Sequence, residues 1–332
     1  MDSKPSLFAR ARPRTRVSIP QRKKKLRFFD LPGEIRNRVY KYYFQDTYRC
    51  EFVGKGCDFS FVAPKTVKLL SNITSPRRSH EKRQSTSEPE KPLIVRFPHP
   101  DQPRLGCRTA HPRTWLNPHG ALVVVCKQTY KETLPLLYQR TTFIFQAPRR
   151  ITDFLHNVPT PNLTHLTKLH LHYTTYGNPR CTRDVIWQDK HLASWTRACK
   201  AASKCLTTLR ALEIDVWLND TTPKFSLRQA WLQPLWHFRR LACGSDSTRS
   251  KLPAHALRTV EVRVRTRLWA HGFEANTRLA AACRRLHVLY GLGIGKAILG
   301  AAEVEAMAEF EEAWNGEYRM WRHHLGFAKT GW

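Results

Sequence analysis

Hydrophobic and polar positions change their period along the chain, and the changes divide it. From residue 141 onward, stretches of two-residue alternation follow one another: 141–146 (TTFIFQ), 166–173 (LTKLHLHY), 209–217 (LRALEIDVW) and 257–265 (LRTVEVRVR). Apolar side chains at every second position predict strands with one buried face. Between them the period lengthens. Leu192, Trp195, Cys199, Ala202 and Leu206 are spaced by three and four, as are Leu279, Cys283, Leu286 and Tyr290, which predicts amphipathic helices. A further helix is expected to start at a Ser226 cap, with Pro234 kinking or splitting it. Strand–helix–strand order predicts an α/β fold with a mainly parallel sheet.

The strands share a frame. L-x-x-L-x-L recurs as Leu166, Leu169 and Leu171, as Leu209, Leu212 and Ile214, and as Leu257, Val260 and Val262, at offsets of 43 and 48 residues. Leucine-rich repeats use that frame with a period of about 20–29 residues and an Asn or Cys three positions on. Thr174, Trp217 and Arg265 stand there instead. The expected unit is an irregular, long-period β-α repeat over 141–332, closed by a Glu-rich capping helix over 301–314 with Val304, Met307, Phe310 and Trp314 as its apolar stripe.

Pleat alternation then sets the opposite face. With the leucines inward, the columns read His170–Glu213–Glu261 and His172–Asp215–Arg263, with Trp217 and Arg265 beyond them. Opposite charges side by side make a satisfied ladder. With Trp217 as an aromatic anchor, these eight residues are the candidate substrate-recognition face. His170, His172, Glu213 and Asp215 are metal-ligating by residue type, but H-x-H on a single strand lacks a distinctive ligand spacing, so no metal or other cofactor is expected.

Upstream, Phe28–Phe44 carries Pro32 and Glu34 in a helical first turn, and Ile35, Val39, Tyr42 and Tyr43 on one face. Ala121–Tyr138 carries Leu122, Val125, Cys126, Thr129, Tyr130 and Thr133 on one face, with Pro135 restarting a short third helix. The predicted sections are a disordered basic tail (1–27), helix one (28–45), a largely disordered insertion (46–118), and helices two and three (119–140). In the insertion, Ser75–Pro92 has no large apolar residue, while Asp58–Val62 and Leu93–Phe97 form a strand pair.

These pieces, LPGEIRNRVY (31–40), CKQTYKETLPLLY (126–138), the TTFIF strand after it and LTKLHLHY, resemble the F-box-like proteins abundant in filamentous fungi. The resemblance implies a three-helix F-box module docking on a Skp1-like adaptor of a cullin–RING ubiquitin ligase. It also implies a C-terminal repeat domain that chooses an unknown protein substrate. On that basis Leu31, Pro32, Ile35 and Val39 of helix one and Leu134 and Leu137 of helix three contact the adaptor. An F-box is contiguous, whereas here residues 46–118 separate its first and second helices.

Charge adds a second class. Fifty-six Lys+Arg against 26 Asp+Glu give +30, with thirteen basic and three acidic side chains in residues 1–45. Such a field attracts polyanions without sequence preference. The alternative is a basic nuclear protein that binds nucleic acid non-specifically. A first cluster of Arg12, Arg14 and Arg16 and a second of Arg22, Lys23, Lys24 and Lys25 match a two-part nuclear import signal, so nucleus or cytoplasm is expected. No apolar run approaches the roughly 18 residues of a membrane span, the N-terminus lacks a secretory apolar centre, and nine cysteines without a CxxC pair suit a reducing compartment. Gly291–Lys296 looks phosphate-friendly, but a P-loop needs Gly at Tyr290 and Ser or Thr at Ala297. It reads as a turn between helices. No G-x-S-x-G or H-E-x-x-H occurs, and a non-enzymatic interaction protein is expected.

Overall fold

The alternating segments fold side by side. A computed structural model gives the architecture and describes residues 26–54, 66–70, 94–95, 122–177, 182–219, 225–242, 257–266, 273, 276–322 and 324–325. Both clusters of the expected import signal, Arg12, Arg14 and Arg16 and then Arg22, Lys23, Lys24 and Lys25, lie outside the described residues. So do the polar stretch 75–92 and the expected strand 58–62.

Among the described residues, seven strands form one sheet: β1 (Tyr48–Val53), β2 (Thr66–Leu70), β3 (Ile94–Val95), β4 (Thr141–Phe145), β5 (Lys168–Thr174), β6 (Ala211–Leu218) and β7 (Thr259–Thr266), in the order β3-β2-β1-β4-β5-β6-β7. Six run parallel, and short β3 pairs antiparallel with β2 at one edge. The three repeat strands are adjacent, with Leu169 opposite Leu212 and Leu212 opposite Val260. Register follows from burial, because a slip by one residue would turn every leucine outward. β1 and β2 come from the section expected to be irregular. Their partners are distant in sequence (β1 pairs with β4), so pairing rather than local pattern makes them strands. β3 lies within the expected Leu93–Phe97 strand, but its partner is β2.

Two compact units divide the chain after Val39. In the first, a 3-10 turn at Phe28–Asp30 leads into helix α1 (Gly33–Tyr43). The Arg27 N–H donates to Asp30 Oδ2 at 2.8 Å, and the Arg36 guanidinium donates to the Leu31 and Phe29 carbonyls. Phe28, Phe29, Pro32, Ile35 and Val39 are all exposed.

In the second unit, Tyr40 and Phe44 are buried, and the Tyr40 hydroxyl donates to Glu132 on helix α2 (Lys127–Arg140). The predicted restart at Pro135 does not occur. α2 runs unbroken through that proline, although a proline there forfeits one intrahelical hydrogen bond. Buried Thr133 and Leu134 anchor that turn, and the Thr133 hydroxyl donates to the Thr129 carbonyl at 2.7 Å. Ahead of α2, Leu122–Val124 is a 3-10 turn, and Cys126 caps the helix by accepting from the Thr129 N–H. Expected helices two and three are therefore one 3-10 turn and one helix.

Helices α3 (Pro148–Asn157), short α4 (Thr160–Leu163), α5 (Val185–Cys205), α6 (Thr277–Ile298) and α7 (Glu303–Asn315) pack with a 3-10 run (Ala230–Leu241) on the leucine face, in one core with Phe145, Trp195, Leu212, Phe238 and Leu286. The helix expected from Ser226 is the 3-10 run, with Pro234 inside it and Ser226 Oγ accepting locally from the Arg228 N–H. The glycines read as a turn lie in the interior of α6. A Cβ on Gly291 would collide with the Val262 carbonyl oxygen, and one on Gly295 would stand 2.7 Å from that of Val260. Because the Thr259 N–H bonds the Arg210 carbonyl, ladder alternation points the Val260 and Val262 carbonyls away from β6. α6 thus covers the outer edge of the last strand at backbone contact. α7 buries Met307, Phe310 and Trp314 as expected, but Val304 is exposed.

Candidate functional site

Face parity carries the polar residues of four strands to the side of the sheet away from the leucine core. Pairing puts His170 beside Glu213 and Glu213 beside Glu261, then His172 beside Asp215 and Asp215 beside Arg263. Trp217 lies beside Arg265. All eight of these residues fall on that side of the sheet, in the expected columns.

One guanidinium organises the carboxylates. Arg263 Nε donates to Asp215 Oδ1 at 2.6 Å, its NH2 to Glu213 Oε2 at 3.1 Å, and its NH1 lies 3.2 Å from Glu261 Oε1. Asp215 Oδ2 lies 2.9 Å from His170 Nε2. Burial pushes the Asp215 carboxyl pKa up, but the hydrogen bonds from His170 and Arg263 outweigh it and hold the group far below the usual carboxylate range. Burial pushes His172 down to about 4, so its imidazole is neutral at pH 7.

His170, expected on a recognition face, is 2% exposed and so is itself withdrawn from solvent. A residue the sequence reading passed over helps cover it. Arg49, on β1, brings its NH2 to 3.1 Å from His170 Nδ1. A guanidinium can only donate, so Nδ1 accepts and the ring proton sits on Nε2, directed at Asp215. The His172 ring packs on His170 with centroids 4.4 Å apart. Trp217 is half-buried, and its Nε1–H donates to Asn219 Oδ1 at 3.2 Å, so its indole is positioned rather than free. At the strand beginnings of the same face, a cavity of about 450 Å3 is lined by Tyr48, Arg49, Thr142, Lys168, Ala211 and Glu213. The alternation of Arg49 and Glu51 with Cys50 and Phe52 sets the parity of β1, but it is too short by itself to announce a strand.

Residues 21–239 match the family model described as a domain of unknown function (DUF7730). The chain belongs to that family. No curated protein and no solved structure matches it. In this DUF7730 member the matched region takes in α1, the sheet from β1 to β6 and the 3-10 run up to residue 239, while β7 with Glu261, Arg263 and Arg265 lies beyond it. Among the residues the F-box resemblance assigns to an adaptor, Pro32, Ile35 and Val39 are exposed and Leu31 is half-buried. Leu137 is half-buried too, and Leu134 is buried at 9% exposure. Leu134 is thus withdrawn from any docking surface, because it packs inside the chain.

Proposed function

We propose that this DUF7730 chain is a non-enzymatic protein-interaction protein: a substrate receptor that docks a Skp1-like adaptor of a cullin-type ubiquitin ligase through residues 28–39. The polar sheet face built around Arg263 receives the protein substrate. One observation carries the adaptor half. Ile35 and Val39, the aliphatic pair on α1, are 41% and 43% exposed, with Phe28 and Phe29 exposed just before them. Apolar side chains gathered on one short segment are the usual mark of a partner surface. The amphipathic helix-in-groove mode uses such i, i+4 anchors. The LPGEIRNRVY resemblance names the adaptor.

The test is binding of the full chain to a purified fungal Skp1-type adaptor, read by pulldown and calorimetry. Wild-type protein is expected to be retained, and Ile35→Asp with Val39→Asp to abolish retention while leaving the circular-dichroism spectrum unchanged. No retention of folded wild-type protein discards the adaptor reading. The excess of 56 basic over 26 acidic side chains favours a second reading, non-specific nucleic-acid binding.

A further inference from the structure

We propose that His170, His172 and Asp215 form a binding site for a divalent transition-metal ion of the zinc type. Each offers one ligand atom, and the three atoms lie within 4.8 Å of one another. Two of the separations are 2.9 Å (His170 to Asp215) and 3.6 Å (His172 to Asp215). A tetrahedral ion with bonds of about 2.0–2.2 Å keeps its ligand atoms about 3.4 Å apart, so small side-chain shifts close the site. The H-x-H pair alone lacked a distinctive spacing. The parallel register supplies what it lacked, by setting an aspartate from the next strand directly beside the second histidine.

The surroundings suit the three ligands. Two neutral imidazoles and one carboxylate are a donor set for zinc, cobalt or iron in the divalent state. Arg263 holds Asp215 through Oδ1, which orients the carboxylate and leaves Oδ2 for the ion. When the ion takes His170 Nε2, the ring proton moves to Nδ1, and no net proton is released. There Glu213 Oε2, 3.7 Å away, is the acceptor that replaces Arg49. A carboxylate behind a ligating histidine is the usual second partner of such a ring. His172 is 35% and Asp215 26% exposed, so an ion reaches them from solvent and keeps open positions for water or a partner's side chain. Arg49 opposes the ion twice, by its charge and by occupying Nδ1. The inference is independent of the adaptor reading, since it uses no residue of α1.

The experiment uses the full chain, freed of metal with a chelator, and Co2+ as the probe. The d–d absorption of the bound ion is followed, and Zn2+ is added as competitor. We expect one Co2+ bound through nitrogen and oxygen, displaced by Zn2+, and lacking the near-ultraviolet thiolate band that a cysteine site would give. His172→Ala and Asp215→Asn are each expected to weaken binding at least about tenfold, on the scale by which metal sites respond to losing supporting groups. Arg49→Gln is expected to tighten it, which neither a surface ion nor a cysteine site would do. The proposal is overturned if no Co2+ binds, if only a thiolate-type spectrum appears, or if His172→Ala leaves the affinity unchanged. Should Asp215→Asn fail to fold, the opposite responses of His172→Ala and Arg49→Gln still decide it.

Discussion

His287 is buried, with Thr266 of β7 on one side of its ring and the preceding turn of its own helix α6 on the other. Its Nδ1 is 2.7 Å from the Cys283 carbonyl, which can only accept, so Nδ1 carries the proton. Its Nε2, 3.1 Å from Thr266 Oγ1, then accepts from that hydroxyl. The neutral ring is fully satisfied, and a second proton would place a charge in a buried site. Burial pushes its pKa down to about 4 from 6.5, despite the opposing effect of the Cys283 carbonyl. Between those values the unfolded chain takes a proton that the folded chain refuses. Stability is therefore intact above pH 6.5 and falls as pH drops toward 4. The expected loss from this residue is about 2 kcal/mol between pH 7 and pH 5. Urea unfolding at the two pH values measures it, and His287→Leu should reduce the difference by that amount.

At the scale of an element, α6 packs at backbone contact with the last strand. Gly291 and Gly295 are one helical turn apart and let the helix lie against the outer edge of β7, whose carbonyls, left uncovered, would invite another strand. Gly293 does the same for α7, since a Cβ there would stand 2.7 Å from Met307 Sδ and 3.0 Å from the Ala306 carbonyl oxygen. In an ordinary helix interior, Gly→Ala stabilises by about 1 kcal/mol. Here the sign reverses. Gly291→Ala and Gly295→Ala are each expected to destabilise by about 1–3 kcal/mol, because rigid backbone must move to admit the methyl group. Thermal melts of the two variants check this, and raised midpoints would remove the edge-covering role. The spacing of these glycines is plain in the sequence, but their purpose is not. The i, i+4 glycine pair reads equally as a loop until the strand edge it touches is known.

For the molecule as a whole, charge and fold are separate matters. On the sheet face Glu213, Asp215 and Glu261 are held by Arg263, while the net charge of +30 belongs to the whole sequence. If that excess binds duplex DNA, the affinity should be measurable at about 50 mM salt and fall by about a thousandfold or more at 200 mM. Fluorescence anisotropy with an arbitrary duplex reads both. Absence of binding at the lower salt ends the nucleic-acid reading, and a salt-insensitive affinity contradicts its electrostatic basis.

The sequence by itself determined the positions of β4 to β7, the parity of their faces and the columns His170–Glu213–Glu261 and His172–Asp215–Arg263. Those are local consequences of the pleat, enforced by a leucine face that cannot turn outward without losing its burial. Only the tertiary structure decided what covers each position. β1 and β2 joined the sheet from a section whose own pattern is too short to announce them. With β1 came Arg49, which helps turn His170 from a surface histidine into a buried one with an assigned proton. Packing likewise carried α2 through Pro135 and straightened the Gly291–Lys296 run into a helix. Burial and hydrogen bonding depend on partners far away in the chain, and no local period records them.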